Sequence, residues 1–212
     1  LDAVAPFIPG PQSPKPDARI AWIGPDPVQS RYKTMEFRAD LWIPASVAPT
    51  LRAISEAACK LLDASDLSRI EERRERLLAR KQQIWAQLEA QIADDARSGK
   101  ITGRLVAHEL GRILDPETVL LNDAISNGDF VRAFAKREKP GTYFRSGGSS
   151  GGWGSGAAFG AKLAAPDREV VLASGDGYFM FGTPMAALWA GSYHKAPYLS
   201  VVFVNGSYST GT

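Results

Sequence analysis

Cysteine is almost missing from this chain: among 212 residues there is only Cys59. One thiol makes neither an intramolecular disulfide nor a cysteine-type zinc site. A disulfide scaffold is therefore excluded, and a reducing compartment, with a cytoplasmic location, is the expectation. Membrane-length hydrophobic runs are missing too. Apolar stretches such as Val170-Val171-Leu172-Ala173 and Val201-Val202-Phe203-Val204 fall far short of the roughly 20 residues that cross a bilayer, so no membrane partner is expected. Neither sign of charge dominates. Twenty-five basic side chains face 23 acidic ones, for a formal net charge of +2, which offers no field to gather nucleic acid. Histidine is scarce: His108 and His194 stand 86 residues apart with no third ligand nearby, and each is read as a structural or surface residue.

The hydrophobic share, 44%, is enough for a real core, and the length suggests one to two domains. No charged segment followed by an apolar run marks a secretory signal. The chain starts at Leu1 and stops at Thr212, directly after a predicted strand and turn, and so reads as a piece of a longer protein.

Proline crowds the opening: nine of the 14 prolines lie in the first 50 residues, which forbids regular helix there. Short strands are predicted over residues 18–23 and 39–43. A helix over 48–62 follows, with Leu51, Ile54, Ala58 and Leu61 along one side. Residues 1–62 read as the end of an α/β unit. From 68 to 97 the composition turns to Glu, Arg, Lys, Gln, Leu and Ala. Ile70, Leu77, Leu78, Trp85, Leu88 and Ile92 form one stripe of a long helix or two, so residues 63–99 read as a helical connector. Arg73, Arg74 and Arg76 there interleave with Glu71, Glu72 and Glu75, as on a solvated helix face.

Residues 100–212 form the remaining unit. A helix over 102–114 leads to a strand at 118–121, a helical turn at 130–135 and a third short strand at 142–144. Seven of the residues from 147 to 160 are glycine, a run that is either a flexible linker or a place where backbone approaches a ligand. What comes next favours the second choice. A small-residue helix over 157–164 feeds a continuous apolar strand over 169–173, then Gly175-Asp176-Gly177, a helix over 184–189 and a strand over 199–204 ending in Asn205-Gly206. This is a βαβ unit, so both strands should run parallel and end on one edge. The fold class is α/β, a parallel sheet with helices on both faces.

On that edge stand Asp176 and Asn205, separated by 29 residues, about one βαβ repeat. A hard cation such as Mg²⁺ takes oxygen ligands and shares them readily with phosphate. The glycines beside Asp176 let backbone N–H groups reach a phosphate, and a helix starting nearby presents its positive end. The pattern reads as a metal-bridged diphosphate pocket where open α/β sheets bind ligands.

Gly175-Asp176-Gly177 followed by a helix and an Asn-terminated strand resembles the signature of thiamine-diphosphate-dependent enzymes. The glycine-rich run and residues 157–167 are similar to the stretch that leads into it in acetolactate synthases and benzoylformate decarboxylases. Pro140-Gly141-Thr142-Tyr143-Phe144 and Leu121-Asn122-Asp123 resemble the decarboxylase branch, and the proline-rich opening resembles the tail of the family's central domain. The resemblance implies thiamine diphosphate and Mg²⁺ as cofactors, a 2-oxo acid as substrate, and a homodimer or homotetramer. Asp176 and Asn205 would hold Mg²⁺ by side chain and Ser207 by its carbonyl. Gly177 and Tyr178, beside Gly175, would offer N–H groups to the diphosphate, while Ser149 and Gly151 would meet the aminopyrimidine. The bulky residue that bends the cofactor in relatives falls on Gly151, so another side chain must give that support. Gly24 and Ala45 stand where acetolactate synthases would place flavin-contacting aspartates, which argues against FAD. The activating glutamate is expected in a domain outside this chain. Glu109 and Glu117 are read as surface residues. The diphosphate-binding unit would be cut short at its C-terminal end, and the fragment alone would be inactive.

The implied activity is an acetolactate synthase-like decarboxylation and carboligation, with a benzoylformate decarboxylase-like lyase as the alternative. A third reading takes Gly152-x-Gly154-x-x-Ala157 and Asp176 as a dinucleotide fingerprint of an NAD-dependent oxidoreductase. A fourth takes the chain as a non-catalytic module of the same fold. Trp153 and Tyr193 are read as packing the core or lining the pocket, and Trp189 as core.

Overall fold

A computed structural model describes residues 10, 11, 13–28, 37–146 and 151–206. The chain divides into two compact units, Leu1–Arg80 and Lys81–Thr212.

In the first unit, β1 (Ala21–Gly24) and β2 (Leu41–Pro44) pair in parallel, with Trp22 opposite Trp42. Trp22 and Ile23 are buried there, and the Trp22 ring centroid lies 6.0 Å from Phe37 and 5.9 Å from Trp42. The helix α1 (Val47–Leu61) follows. Its sequence predicts an apolar side, yet none of its residues is buried, and Leu51, Ile54 and Leu61 are all exposed. The expected connector is one helix, α2 (Ala64–Ser98), in which only Ile92 and Asp95 are buried.

The second unit is built on four parallel strands in the order β4-β3-β5-β6: β3 (Val119–Asp123), β4 (Tyr143–Arg145), β5 (Val170–Gly175) and β6 (Leu199–Phe203). Strands buried on both faces carry apolar residues at successive positions, and β3 and β5 do so. Leu120, Val171, Ala173 and Phe203 pack on one face against Ala107 and Leu110 of α3 (Gly103–Ile113) and Val131 of α4 (Gly128–Phe134). Val119, Leu121, Val170 and Leu172 pack on the other face against Ala158 of α5 (Gly154–Ala164). Helix α7 (Pro184–Tyr193) lies against α5. The sheet is thus covered by helices on both faces.

Asp95, at the end of α2, is buried beside the start of α3. It accepts hydrogen bonds from Thr102 Oγ1 at 2.6 Å and from Arg104 Nη2 at 2.9 Å. Arg104 and Thr102 hold its carboxyl below the usual aspartate range. Thr102 in turn caps α3 by accepting from the Leu105 N–H, the usual use of a threonine at that position.

The sequence places Trp189 in the core, and the structure corrects this: Trp189 is 67% exposed and stacks on Tyr193 with centroids 5.3 Å apart. Helix α7 is apolar nearly all round, so its pattern carries no information about which face turns inward. His108 packs edge-on against Phe134, and His194 lies against Phe159 and Tyr193. Glu109 pairs with Arg112, and Glu117 with Lys139 and Arg168. Among the described residues, no helix is long and apolar enough to cross a membrane.

Candidate functional site

The strand order creates a place for a ligand. From β3 the chain moves to β4 on one side, then crosses back through α5 to β5 on the other side of β3. Successive connections leave in opposite directions, so the carboxyl ends of β3 and β5 border a crevice of the kind where open α/β sheets bind ligands. Asp123 and Ser174 face each other in register there.

At the end of β5, Gly175 is extended, and Asp176 is the first residue of a helical turn, α6 (Asp176–Phe181). The sequence foresees a helix near Asp176 but not one that begins with it. Asp176 Oδ1 accepts the Gly177 N–H at 2.8 Å, and among the described residues its carboxylate has no other hydrogen bond. Gly175 pairs with Phe203 of β6, so Asp176 and Asn205 follow that pair by one and two residues on adjacent parallel strands. Asn205 is exposed and borders a cavity of about 520 Å³ with Thr102, Gly103, Asn127 and Val204. Asp176 does not line that cavity. A Cβ added at Gly175 would meet nothing within 4 Å, so its backbone borders open space. Ser149 and Ser207, also predicted as site residues, lie outside the described residues. Among those described, no group of three or more His, Cys, Asp or Glu could hold a metal ion, so a metal here would need amide and carbonyl oxygens too.

The glycines at 151–154 are explained by what they touch. A Cβ at Gly151 would sit 2.2 Å from the Tyr178 ring. The ring thus fills the space beside the glycine that stands at the expected bulky position. Gly152 has φ +90°, a conformation that favours glycine, and a Cβ there would lie 2.7 Å from Gly182 N. A Cβ at Gly182 would lie 2.2 Å from the Gly152 carbonyl oxygen. One at Gly154 would meet Leu172 at 2.6 Å and Asp123 at 2.7 Å.

Sequence reasoning missed Asp123 as a site residue. It is only 4% exposed, and its Oδ2 accepts the N–H groups of Gly152 at 3.0 Å and Gly154 at 3.1 Å. Burial pushes its carboxyl above the usual aspartate value, against the pull of the Gly154 and Gly152 N–H groups. The one available signal was a polar pair, Asn122-Asp123, closing an otherwise apolar strand. Asn122 Nδ2 donates to the Gly128 carbonyl and the Tyr143 hydroxyl. That side chain secures the surrounding frame.

Known proteins resemble the second unit. Residues 126–211 match the family described as thiamine pyrophosphate enzyme, C-terminal TPP binding domain. Over 113 residues the chain is 36% identical to a benzoylformate decarboxylase of Pseudomonas aeruginosa, covering 47% of this chain and 21% of that protein. Over 82 residues it is 37% identical to an acetolactate synthase of Mycobacterium leprae, covering 38% and 13% respectively. The solved thiamine diphosphate-dependent 4-hydroxybenzoylformate decarboxylase of Rhodococcus jostii aligns at 27% identity and TM-score 0.48, covering 51% of this chain and 20% of that one. The chain spans about a fifth or less of the length of the curated relatives it matches. Residues 126–211 are thus similar to the C-terminal cofactor-binding domain of thiamine-diphosphate-dependent enzymes.

Proposed function

We propose that this chain supplies the diphosphate- and Mg²⁺-binding half of the active site of a 2-oxo-acid decarboxylase or carboligase. The observation that carries this reading is the β5–β6 register, which leaves Asp176 and Asn205 at the ends of adjacent parallel strands. The donor set suits a hard cation: a carboxylate that keeps an oxygen after its contact with Gly177, and a carboxamide oxygen, with the Ser207 carbonyl as the third protein ligand. Open space beside Gly175 leaves room for a diphosphate, and the N–H groups of Gly177 and Tyr178 would face it.

When bound, thiamine diphosphate supplies a carbon nucleophile that adds to a 2-oxo acid and accepts the electrons left as carbon dioxide departs. The work of this chain is to bind and orient. Asp176 and Asn205 would fix the metal, and the N–H groups of Gly177 and Tyr178 would donate to the diphosphate. Gly151, with the Tyr178 ring beside it and Ser149 before it, would border the aminopyrimidine. Proton transfer to that ring is assigned to a glutamate of another domain, so the protein would work as a homodimer or homotetramer in a reducing, cytoplasmic setting without FAD.

The acetolactate synthase-like reading implies pyruvate as donor. A benzoylformate decarboxylase-like lyase is the second reading, favoured by the longer match, 113 residues against 82. Release of carbon dioxide by the full-length protein from pyruvate and benzoylformate, with thiamine diphosphate and Mg²⁺ added, tests both. Turnover of pyruvate with formation of a carbon–carbon bond supports the first reading, and turnover of benzoylformate alone supports the second. Cofactor binding without turnover of any 2-oxo acid removes both and leaves a binding module.

A further inference from the structure

We propose that Asp123 is a positioning residue for the cofactor: it anchors the glycine segment 151–154, and through that segment it holds α6, with Asp176 and Tyr178, in the place where the diphosphate half-site needs it. The inference rests on the proposed function, but its first premise concerns this chain alone.

Helix α6 has six residues and none of them is buried. Phe179 packs only partly against the core, so burial alone gives the helix little hold, and short elements with few buried contacts open easily. Besides its neighbours β5, β6 and α7, α6 touches glycine backbone. Tyr178 in its first turn lies on Gly151, and Gly182, which closes it, lies on Gly152. Both contacts depend on where residues 151 and 152 sit, and Asp123 governs that. One carboxylate oxygen takes the N–H groups of Gly152 and Gly154 together, while Gly154 is pressed on Asp123 Cβ and Leu172. The Ser174 hydroxyl also donates to the Asp123 main-chain carbonyl at 3.3 Å, tying the end of β3 to β5 just before Asp176. The chain of contact runs from β3 through the glycines to α6, and Asp123 acts on the cofactor only through it.

A merely structural aspartate would change the melting temperature and nothing else. A positioning aspartate changes cofactor affinity in protein that is fully folded. Three forms of the full-length protein separate these cases: wild type, Asp123→Ala and Asp123→Asn. Thiamine diphosphate binding is measured in the presence of Mg²⁺, well below each melting temperature, and amide exchange at Gly152 and Gly154 is followed without cofactor. The expected result is a loss of affinity of about tenfold or more in Asp123→Ala, since the buried Gly154 N–H and the half-buried Gly152 N–H lose their acceptor. Affinity recovers in Asp123→Asn, whose amide oxygen can accept both. Gly152, outside any helix or strand, should exchange slowly in wild type and fast in Asp123→Ala.

Unchanged affinity in a folded Asp123→Ala overturns the proposal, and so does an equal loss in both variants. Unprotected exchange at Gly152 in wild type overturns it even if Asp123→Ala fails to fold. In that event, slow exchange at Gly152 in wild type together with near-wild-type affinity in Asp123→Asn supports it. If wild type binds no thiamine diphosphate, the proposed function fails and with it the cofactor role, whereas the anchor itself is still judged by exchange at Gly152.

Discussion

Two aspartates stand at the ends of neighbouring parallel strands, and they are used in opposite ways. Asp123 closes β3 in register with Ser174, inside the last paired position. It is buried, and one of its oxygens is spent on two backbone N–H groups. Asp176 follows Gly175, one residue past the last pair with β6. It is half-buried, and its one hydrogen bond among the described residues is to its own turn. A step of one residue past the end of the ladder thus separates a carboxylate that organises the protein from one offered to a ligand. Residue type alone does not make this distinction, because both are aspartates after an apolar strand.

Removing each carboxylate in turn separates the two roles. Asp176→Ala should weaken Mg²⁺-dependent thiamine diphosphate binding by about a hundredfold, on the order of 3 kcal/mol, while leaving the unfolding free energy within about 0.5 kcal/mol of wild type. Titration calorimetry and urea denaturation check the two halves of that statement. Asp123→Ala should do the reverse in stability, costing about 1–3 kcal/mol because a buried and a half-buried donor lose their acceptor. If the two variants exchange these signatures, the assignment of roles is wrong.

Glycine substitutions sharpen the same contrast. Gly182→Ala would drive a Cβ to 2.2 Å from the Gly152 carbonyl oxygen, and rigid backbone cannot step aside as a side chain can. The expected cost is about 1–3 kcal/mol, read as a lower denaturation midpoint. A smaller effect concerns pH. Burial raises the Asp123 carboxyl above its unfolded value, so the folded state holds that proton more tightly. The ionised group therefore costs stability at neutral pH, a cost that disappears as pH falls through the carboxyl range. Wild type should gain stability relative to Asp123→Asn on acidification, and denaturation midpoints of the pair at neutral and mildly acid pH measure it. Asp95 has the opposite sign: its lowered carboxyl value means that its contribution is lost as pH falls below the aspartate range. The smallest effect is expected at Gly160, exposed within α5, where a Cβ meets nothing within 4 Å. Gly160→Ala should raise stability by about 0.5–1 kcal/mol without touching affinity.

Much of this architecture is legible in the residues. The continuous apolar runs of β3 and β5, each closed by polar or glycine residues, announce buried parallel strands, and small residues over 157–164 announce a helix laid close on a sheet. The register that brings Asp176 and Asn205 to one edge follows from that alternation. The role of Asp123 is not legible, because its partners are backbone N–H groups 29 and 31 residues further on, and a backbone donor leaves no mark on the sequence. The exposure of Trp189 is hidden for a different reason: with Met185, Leu188 and Tyr193 around it, α7 has no polar side to show which way it turns. The meaning of Gly151 is equally non-local, since the ring that excludes a side chain there belongs to Tyr178.

Asp176 and Asn205 would meet on one shared metal. Calorimetric titration of thiamine diphosphate into the full-length protein, with Mg²⁺ present and again after complete chelation, addresses it in one experiment. Binding that requires the cation, and that is lost in both Asp176→Ala and Asn205→Ala, is the predicted result. Binding of equal strength with the cation removed would contradict it.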